Sequence, residues 1–164
     1  TEPPVTLGME PRAVVELFYE SINRFDHMTM EDCVTDGAGE NYLREATNLF
    51  VISRMRQGYE QGRNPYIGVQ EWIDAGRGRI PEEKSLYGIG NLEISARGDL
   101  EFLVSYEKWI PFSEDMPDNQ SRMTYSGEQR MELVFLREEK GAFRIYRFEL
   151  LEASPLDDLA PPGA

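Results

Sequence analysis

Apolar residues recur at helical spacing in the first half of the chain. Val14, Phe18, Ile22 and Phe25 lie three or four positions apart, which predicts an amphipathic helix over residues 11–25. Similar patterns, with capping residues at the start and glycines at the end, predict further helices from 29 to before 36, from about 41 to 57, and within 68–78.

From Leu86 onward apolar and polar residues alternate, which predicts β-strands. Four long strands are expected, with connections at 98–99, 113–121 and 137–141 and a β-bulge near Tyr146-Arg147. Short connections of this kind predict an antiparallel meander with one apolar face. The rows expected to face inward are Leu86, Gly88, Gly90, Leu92, Ile94 and Ala96, then Leu100, Phe102, Val104 and Tyr106, then Tyr125, Gly127, Gln129, Met131, Leu133 and Phe135.

Because helices come first and strands follow, we predict one α+β domain over residues 10–152. Its N-terminal helices are expected to pack on a curved antiparallel sheet of four or more strands. Residues 1–9 are interpreted as a lead and residues 153–164 as a poorly structured tail. A chain of 164 residues is long enough to bury one good core.

The segment "SLYGIGNLEI" (85–94) contains two glycines on one face of a predicted strand. The expected hairpin register places Gly90 and Gly127 beside Tyr106, and Gly88 and Tyr125 beside Lys108. One interpretation is mechanical, because glycines allow a sheet to bend sharply while an aromatic ring covers the exposed backbone. The other is that the missing side chains open a cavity with a few polar groups. The candidate ligand-binding residues are then Tyr106, Lys108, Tyr125, Gln129, Gly88, Gly90 and Gly127.

The charge balance limits the classes of partner. The chain has 17 basic and 30 acidic residues, a formal charge of −13, and lacks the basic surface that nucleic acids require. No apolar run approaches the roughly 18 residues of a membrane-spanning helix, so no transmembrane segment is predicted. The single cysteine, Cys33, excludes an internal disulfide and is expected to be a small buried residue.

The chain opens with a polar, proline-containing segment, "TEPPVTLGMEP". Such a segment is typical of the spacer that remains after a signal peptide or lipoprotein leader is removed. We therefore expect a bacterial protein exported to the periplasm or cell envelope. A cytoplasmic protein shortened at its N terminus shows the same pattern, so that location stays open.

Catalytic motifs are lacking in the sequence. His27 is the only histidine and is expected to be a solvent-facing loop residue, and no catalytic residue, cofactor or metal site is predicted. Asp115, Asp118 and Asn119 lie in one loop but lack the spacing of an EF-hand, which favours an acidic surface loop over a weak calcium site. No acidic residue falls in the predicted inward rows. A carboxylate for acid–base chemistry must then come from residues 36–48, where Asp36, Glu40 and Glu45 are the candidates.

The order of elements, and above all the final hairpin "LVFLREEKGAFRIYRFELLE" (133–152), resembles the NTF2-like superfamily, also called cystatin-like or SnoaL-like. The resemblance covers residues 10–152 and is one of layout, without an invariant motif. It implies a cone in which helices pack on the concave face of a bent sheet and leave a cavity at the open end. The stretch 40–78 is longer than in simple members, which suggests an unrecognised first strand. Relatives include isomerases, dehydratases, cyclases and binding domains, so the resemblance implies no single activity.

Three functional hypotheses follow. The first is a non-catalytic NTF2-like domain that holds a small apolar or amphipathic ligand in the cone. The second is an acid–base enzyme of the same fold, an isomerase, dehydratase or cyclase, for which a buried, desolvated carboxylate in the cavity is the discriminating feature. The third is an interaction module whose outer sheet face, or the edge at 109–112, pairs with another protein or forms a homodimer.

Overall fold

The computed structural model describes residues 2–59, 65–115 and 121–162, and the side chains within 2–51, 65–111 and 124–162. The helices are α1 (Pro11–Asn23), α2 (His27–Asp32), α3 (Glu40–Tyr59) and α4 (Val69–Asp74). The strands are β1 (Tyr66–Gly68), β2 (Ser85–Gly98), β3 (Glu101–Asp115), β4 (Ser121–Glu139) and β5 (Ala142–Pro155), followed by a 3-10 turn at Asp157–Leu159. The predicted α+β class is confirmed.

The sheet has the order β1-β2-β3-β4-β5. Strands β2 to β5 form the predicted antiparallel meander, and β1 adds a fifth strand parallel to β2 through the pair Tyr66↔Ser85, so the sheet is mixed. Strand β1 lies within 40–78, where an unrecognised first strand was expected, and its three residues are too few to show alternation. The predicted bulge is confirmed, since Ile145 pairs with Leu136 and Arg147 with Phe135, which leaves Tyr146 between them.

The expected faces of β4 are wrong. Val104 pairs with Glu132 and Trp109 with Gly127, whereas Gly127 was expected beside Tyr106. The difference is three residues, an odd number, and an odd shift exchanges the two faces of a strand. The inner face therefore carries Arg130, Glu132, Val134 and Leu136, and the row from Tyr125 to Phe135 lies on the outer face. Periodicity could not separate them because β4 is apolar on both faces at its centre, "MELVFL" (131–136).

The predicted inward row of β2 is also wrong in its first half. Gly90 pairs with Glu107 and not with Tyr106. A register shift between Gly90 and Glu93 surrounds Asn91, which has a φ of 51°. This bulge changes the alternation, so Leu92 and Ile94 face the inner core, whereas Leu86 and Gly90 face the outer cluster and α4.

The sheet separates two apolar clusters. The larger one lies between the inner face and helices α1 to α3; its fully buried members include Val14, Phe18, Ile22, Met30, Val104, Val134 and Ile145. The smaller one lies under α4 on the outer face and consists of Val69, Trp72, Leu86 and Trp109. Burying apolar side chains of this size contributes roughly 1.5–3 kcal/mol each, so the larger cluster dominates stability.

Both ends of the described chain are attached to the domain. Leu7 forms an isolated bridge with Ala142, and Thr6 is fully buried. The expected unstructured tail is wrong over its first part, because β5 continues to Pro155 and the Leu156 amide donates to the Gly127 carbonyl at 2.9 Å.

Candidate functional site

A buried carboxylate lies at the centre of the inner face. Glu132 is 2% exposed, and the hydroxyl groups of three tyrosines lie within hydrogen-bonding distance of its carboxylate. Tyr42 Oη lies 2.6 Å from Oε1 and 2.7 Å from Oε2, Tyr106 Oη lies 3.2 Å from Oε1, and Tyr19 Oη donates to Oε2. This cluster contradicts the expectation that no acidic residue falls in the inward rows.

Four separate elements position the cluster. Tyr19 lies on the apolar stripe of α1, one residue after Phe18, and is fully buried. Tyr42 lies in the first turn of α3, Tyr106 on β3 and Glu132 on β4. The register places Glu132 opposite Val104 and Arg130 opposite Tyr106, so the carboxylate and the Tyr106 phenol are diagonal neighbours on one face.

One arrangement of protons satisfies the polar chain at this centre. Arg130 Nε donates to Tyr106 Oη at 3.1 Å, Tyr106 Oη donates to Tyr42 Oη at 2.5 Å, and Tyr42 Oη donates to Glu132. The chain thus runs from a cation to a carboxylate through two phenols. Charge-assisted hydrogen bonds of this type are stronger than neutral ones, which offsets the cost of burying Glu132.

The environment favours the neutral form of the phenols. Burial, and then the charge of Glu132 and the neighbouring tyrosines, raise the pKa values of Tyr19 and Tyr42 well above the ordinary range. The pKa of Tyr106 is also raised, mainly by burial and then by the charge of Glu132, although the interactions with Tyr42 and Arg130 act against it. Burial lowers the pKa of Arg130, but the phenols and Glu132 outweigh it and the net change is upward. The tyrosines are hydrogen-bond donors at neutral pH.

A polar cleft opens above the cluster, with a volume of about 620 Å³. It lies between the start of α3 and strand β5, and Glu132 and Arg130 form part of its wall. Its other lining residues are Gly37, Ala38, Gly39, Glu40, Asn41, Tyr42, Glu45, Lys108, Tyr146, Arg147, Phe148 and Leu150. A cleft of this size is in the range of small-molecule sites.

A second cleft of about 350 Å³ lies on the other side of α3. Its apolar wall consists of Leu49, Tyr87, Ile110 and Pro111, and its rim carries Asn41, Arg44, Glu45 and Asn48. The two clefts share Asn41 and Glu45.

An ion pair stands at the boundary between these clefts. Lys108 Nζ lies 2.7 Å from Glu45 Oε2 and 5.6 Å from the centre of the Tyr42 ring. Burial, followed by the charge of Glu45, raises the pKa of Tyr87, which forms part of the apolar wall. The Lys108–Glu45 pair therefore fixes α3 against the sheet between one apolar and one polar space.

The structure separates the seven candidate ligand-binding residues. Tyr106 and Lys108 lie on the inner face, where Lys108 lines the polar cleft and Tyr106 lies beneath it. Tyr125 packs against the outer cluster, and Gln129 donates to Ser105 Oγ on the outer face. Ligand binding by Tyr106 and Lys108 stays a prediction, but the shared mouth expected from the register is not formed.

The glycines open no cavity, because other groups fill the space that their side chains leave. A Cβ on Gly90 would lie 2.9 Å from Ile73 and 3.0 Å from Val69 of α4, and one on Gly88 would meet Asn23. A Cβ on Gly127 would lie 2.5 Å from the ring of Trp109 on the adjacent strand. The mechanical interpretation thus applies to Gly127, with Trp109 as the covering ring. The missing side chain at Gly88 makes room for Asn23 of α1, and the one at Gly90 makes room for α4.

Trp109 belongs to a buried polar clasp on the outer face. Its Nε1 donates to Glu107 Oε1 at 2.7 Å, and Arg77 Nη2 donates to Glu107 Oε2 at 2.8 Å. Burial raises the pKa of Glu107, but the hydrogen bonds from Arg77 and Trp109 outweigh it and the net change is downward. The edge expected at 109–112 is therefore not exposed at Trp109, which is fully buried.

The remaining candidates have the following positions. Glu40 and Glu45 line the polar cleft. Asp36 does not line it and lies near the β4–β5 turn instead. His27 begins α2 and is half-buried, 5.4 Å from the Phe50 ring, so its expected loop position is wrong. Cys33 is buried as expected, and burial, followed by Asp32 and Asp26, raises the pKa of its thiol to about 12.

Within the described ranges, no three His, Cys, Asp or Glu side chains are close enough together to hold a metal ion. The calcium alternative at Asp115, Asp118 and Asn119 depends on residues 116–120, which lie outside the described residues. No helix in the described part of the chain is long and apolar enough to cross a membrane.

Comparisons with protein-family models, with curated proteins and with solved structures find no match for this chain. The inference about its function therefore rests on the fold and on the geometry of the two clefts.

Proposed function

We propose that the protein is a non-catalytic, NTF2-like domain that binds a small amphipathic molecule across the two clefts beside α3. The observation that carries this proposal is the shared boundary at Asn41 and Glu45 between an apolar space and a polar one. An apolar group fits against Leu49 and Tyr87, and a polar head group fits near Arg130 and Tyr42. Such a site combines an apolar wall with few directed polar groups, as small-molecule sites do.

The NTF2-like assignment is supported by helices α1 to α3 on one face of an antiparallel meander that carries several bulges. Helix α4 on the outer face is a departure from the simple cone that the resemblance implies.

Native mass spectrometry of the freshly purified protein, compared with the denatured spectrum, tests the binding proposal. A reproducible extra mass that is released on denaturation supports it. Titration with dodecanoate then tests the site, because Leu49→Gln should weaken binding about tenfold by placing an amide in the apolar wall. Leu100→Gln is the matched control, since Leu100 is 38% exposed at the β2–β3 turn and lines neither cleft. Equal affinities for the two variants and the wild type would contradict the proposal.

An acid–base enzyme is the second candidate, and the buried carboxylate of Glu132 in the wall of the polar cleft favours it. Against it, Tyr19 and Tyr42 already donate to Glu132, and Tyr106 lies 3.2 Å from its Oε1, so the hydroxyl groups of three tyrosines surround the carboxylate. A bound substrate has to displace Tyr42 to reach the carboxylate. Conversion of a captured ligand by the wild type, with loss of turnover but not of capture in Glu132→Gln, would establish this alternative.

An interaction role is the third candidate. The outer face carries half-buried Leu103, Met131, Leu133 and Phe135, with Leu103 directly opposite Leu133. Arg130 and Glu132, which alternate with the row predicted to face inward, lie on the inner face and therefore do not interrupt this apolar surface. A second copy of the chain is the proposed partner, and a molar mass in light scattering that stays that of one chain at high concentration would exclude it.

A further inference from the structure

A third cleft lies at the β4–β5 turn, with a volume of about 310 Å³. It shares no lining residue with the two clefts beside α3. Its wall contains three cations in a chain whose formal charge is −13. The lining residues are Thr35, Asp36, Arg137, Glu139, Lys140 and Arg144.

Arg144 is a cation without an ion-pair partner in the part of the chain that the structure describes. Its Nε is buried and has no hydrogen-bond partner among the described residues, and its Nη1 donates a long bond of 3.3 Å to the Val34 carbonyl. No carboxylate among the described residues lies within 4.0 Å of its guanidinium. Burying a charge without an opposite charge is costly, so this guanidinium favours an anion beside it.

The other charges of the cleft leave a surplus of positive charge. Arg137 Nη2 lies 2.8 Å from Glu139 Oε2, so these two charges compensate each other. Lys140 is exposed at the hairpin turn with a φ of 53° and has no ion-pair partner among the described residues. Asp36 is exposed and is the only carboxylate of the wall that the cations do not already neutralise. Arg144 and Lys140 therefore exceed the remaining negative charge.

We propose that this cleft binds a tetrahedral oxyanion, the phosphate or sulfate group of a small molecule, through Arg144 and Lys140. A guanidinium presents its donors in a planar fork that matches phosphate geometry, whereas an ammonium adds a flexible point charge. The Nε–H of Arg144 is a buried donor that no acceptor among the described residues occupies. The site is independent of the clefts beside α3, and it stands or falls separately from the proposed ligand binding there.

The test is a titration of the protein with inorganic phosphate, and separately with inorganic sulfate, at a constant ionic strength set with sodium chloride. The signals of the arginine Nε–H groups are followed by ¹H–¹⁵N NMR. We expect a saturable shift of the Arg144 signal. Arg144→Gln should weaken phosphate binding about tenfold or more, because a charge-assisted hydrogen bond is lost.

Lys140→Asn keeps the test decisive if Arg144→Gln does not fold, because Lys140 is exposed and asparagine tolerates its positive φ. It should weaken phosphate binding about threefold. Arg12→Gln is the control, since Arg12 is an exposed cation paired with Glu16 on α1, and its affinity should equal that of the wild type. Saturation by only one of the two anions also supports the site and identifies the group. Shifts no larger than those in chloride, or unchanged affinity in both cleft variants, would overturn the proposal.

Discussion

The Tyr42 hydroxyl lies 2.6 Å from Glu132 Oε1 and joins the start of α3 to the centre of β4 across 90 positions of sequence. Helix α3 buries few side chains, and this contact and the Lys108–Glu45 ion pair attach it to the sheet. Ala46 is the only fully buried residue among the described side chains of α3. Both clefts lie beside this helix, so the hydrogen bonds of Glu132 determine the geometry of the candidate site.

Glu132→Ala should lower the free energy of unfolding by about 3 kcal/mol, because buried phenol hydroxyls are left without an acceptor and a cavity forms. Urea unfolding measures this change. Glu149→Ala is the matched control: Glu149 lies on β5, is 43% exposed and pairs with exposed Arg147, so its removal should cost less than about 1 kcal/mol. A loss equally small for both variants would show that the tyrosines find other partners and that Glu132 does not organise the site.

Above pH 10 the folded protein should lose stability steeply. The folded-state pKa values of Tyr19, Tyr42, Tyr87 and Tyr106 are raised, so their contribution is complete below the unfolded-state value of about 10 and is lost as pH rises beyond it. Phenolate absorbance against pH should show two phases. The exposed tyrosines among the eight ionise first, and the four buried ones ionise only when the protein unfolds.

The amplitude of the second phase identifies the residues responsible. Tyr42→Phe should reduce this amplitude. Tyr146→Phe removes a tyrosine that is 41% exposed and should leave it unchanged. A single phase that includes all phenols, in protein that circular dichroism shows to be still folded, would contradict the buried cluster.

Acid should weaken the clasp on the outer face. The folded-state pKa of Glu107 is lowered, so its stabilising contribution is present above the unfolded-state value of about 4.3 and is lost as pH falls through the folded-state value. Glu107→Gln should therefore flatten the dependence of unfolding free energy on pH below about 5. Glu128→Gln, which changes a more exposed carboxylate on the neighbouring strand, should leave the slope nearer that of the wild type. Identical slopes in the wild type and Glu107→Gln would contradict the prediction.

Gly127→Ala should destabilise the protein by about 1–3 kcal/mol, because the new methyl group meets the Trp109 ring at 2.5 Å. Tryptophan fluorescence should change as well, since Trp109 and Trp72 have ring centres 5.3 Å apart. Gly98→Ala is the matched control on β2, where the nearest atom to a new Cβ is 3.9 Å away. It should be neutral or slightly stabilising. Equal stabilities of the two variants would show that Trp109 does not cover Gly127.

Local patterns predicted most elements of this protein and the buried sides of α1 and β3, but not the faces of β4 and of the first half of β2. The stripe of α1, the meander of β2 to β5 and the bulge at Tyr146 all follow from short-range periodicity, and each is present. The three residues of β1 carry no period and become a strand only by pairing with β2. In β4 the row from Tyr125 to Phe135 was predicted to face inward because it contains more apolar residues. The signal for the row that does face inward was its apolar end, Val134 and Leu136.

The sequence by itself determined which segments are helices and strands, since apolar spacing at 3.6 or 2 residues is a property of neighbouring positions. Only the tertiary structure decided the register, because an odd shift moves every side chain of a strand to the opposite face at little local cost. It also decided the candidate site. Glu132 can be buried because Tyr19 and Tyr42 donate hydrogen bonds to it and Tyr106 donates to Tyr42, from three distant elements, and no short stretch of sequence records that convergence.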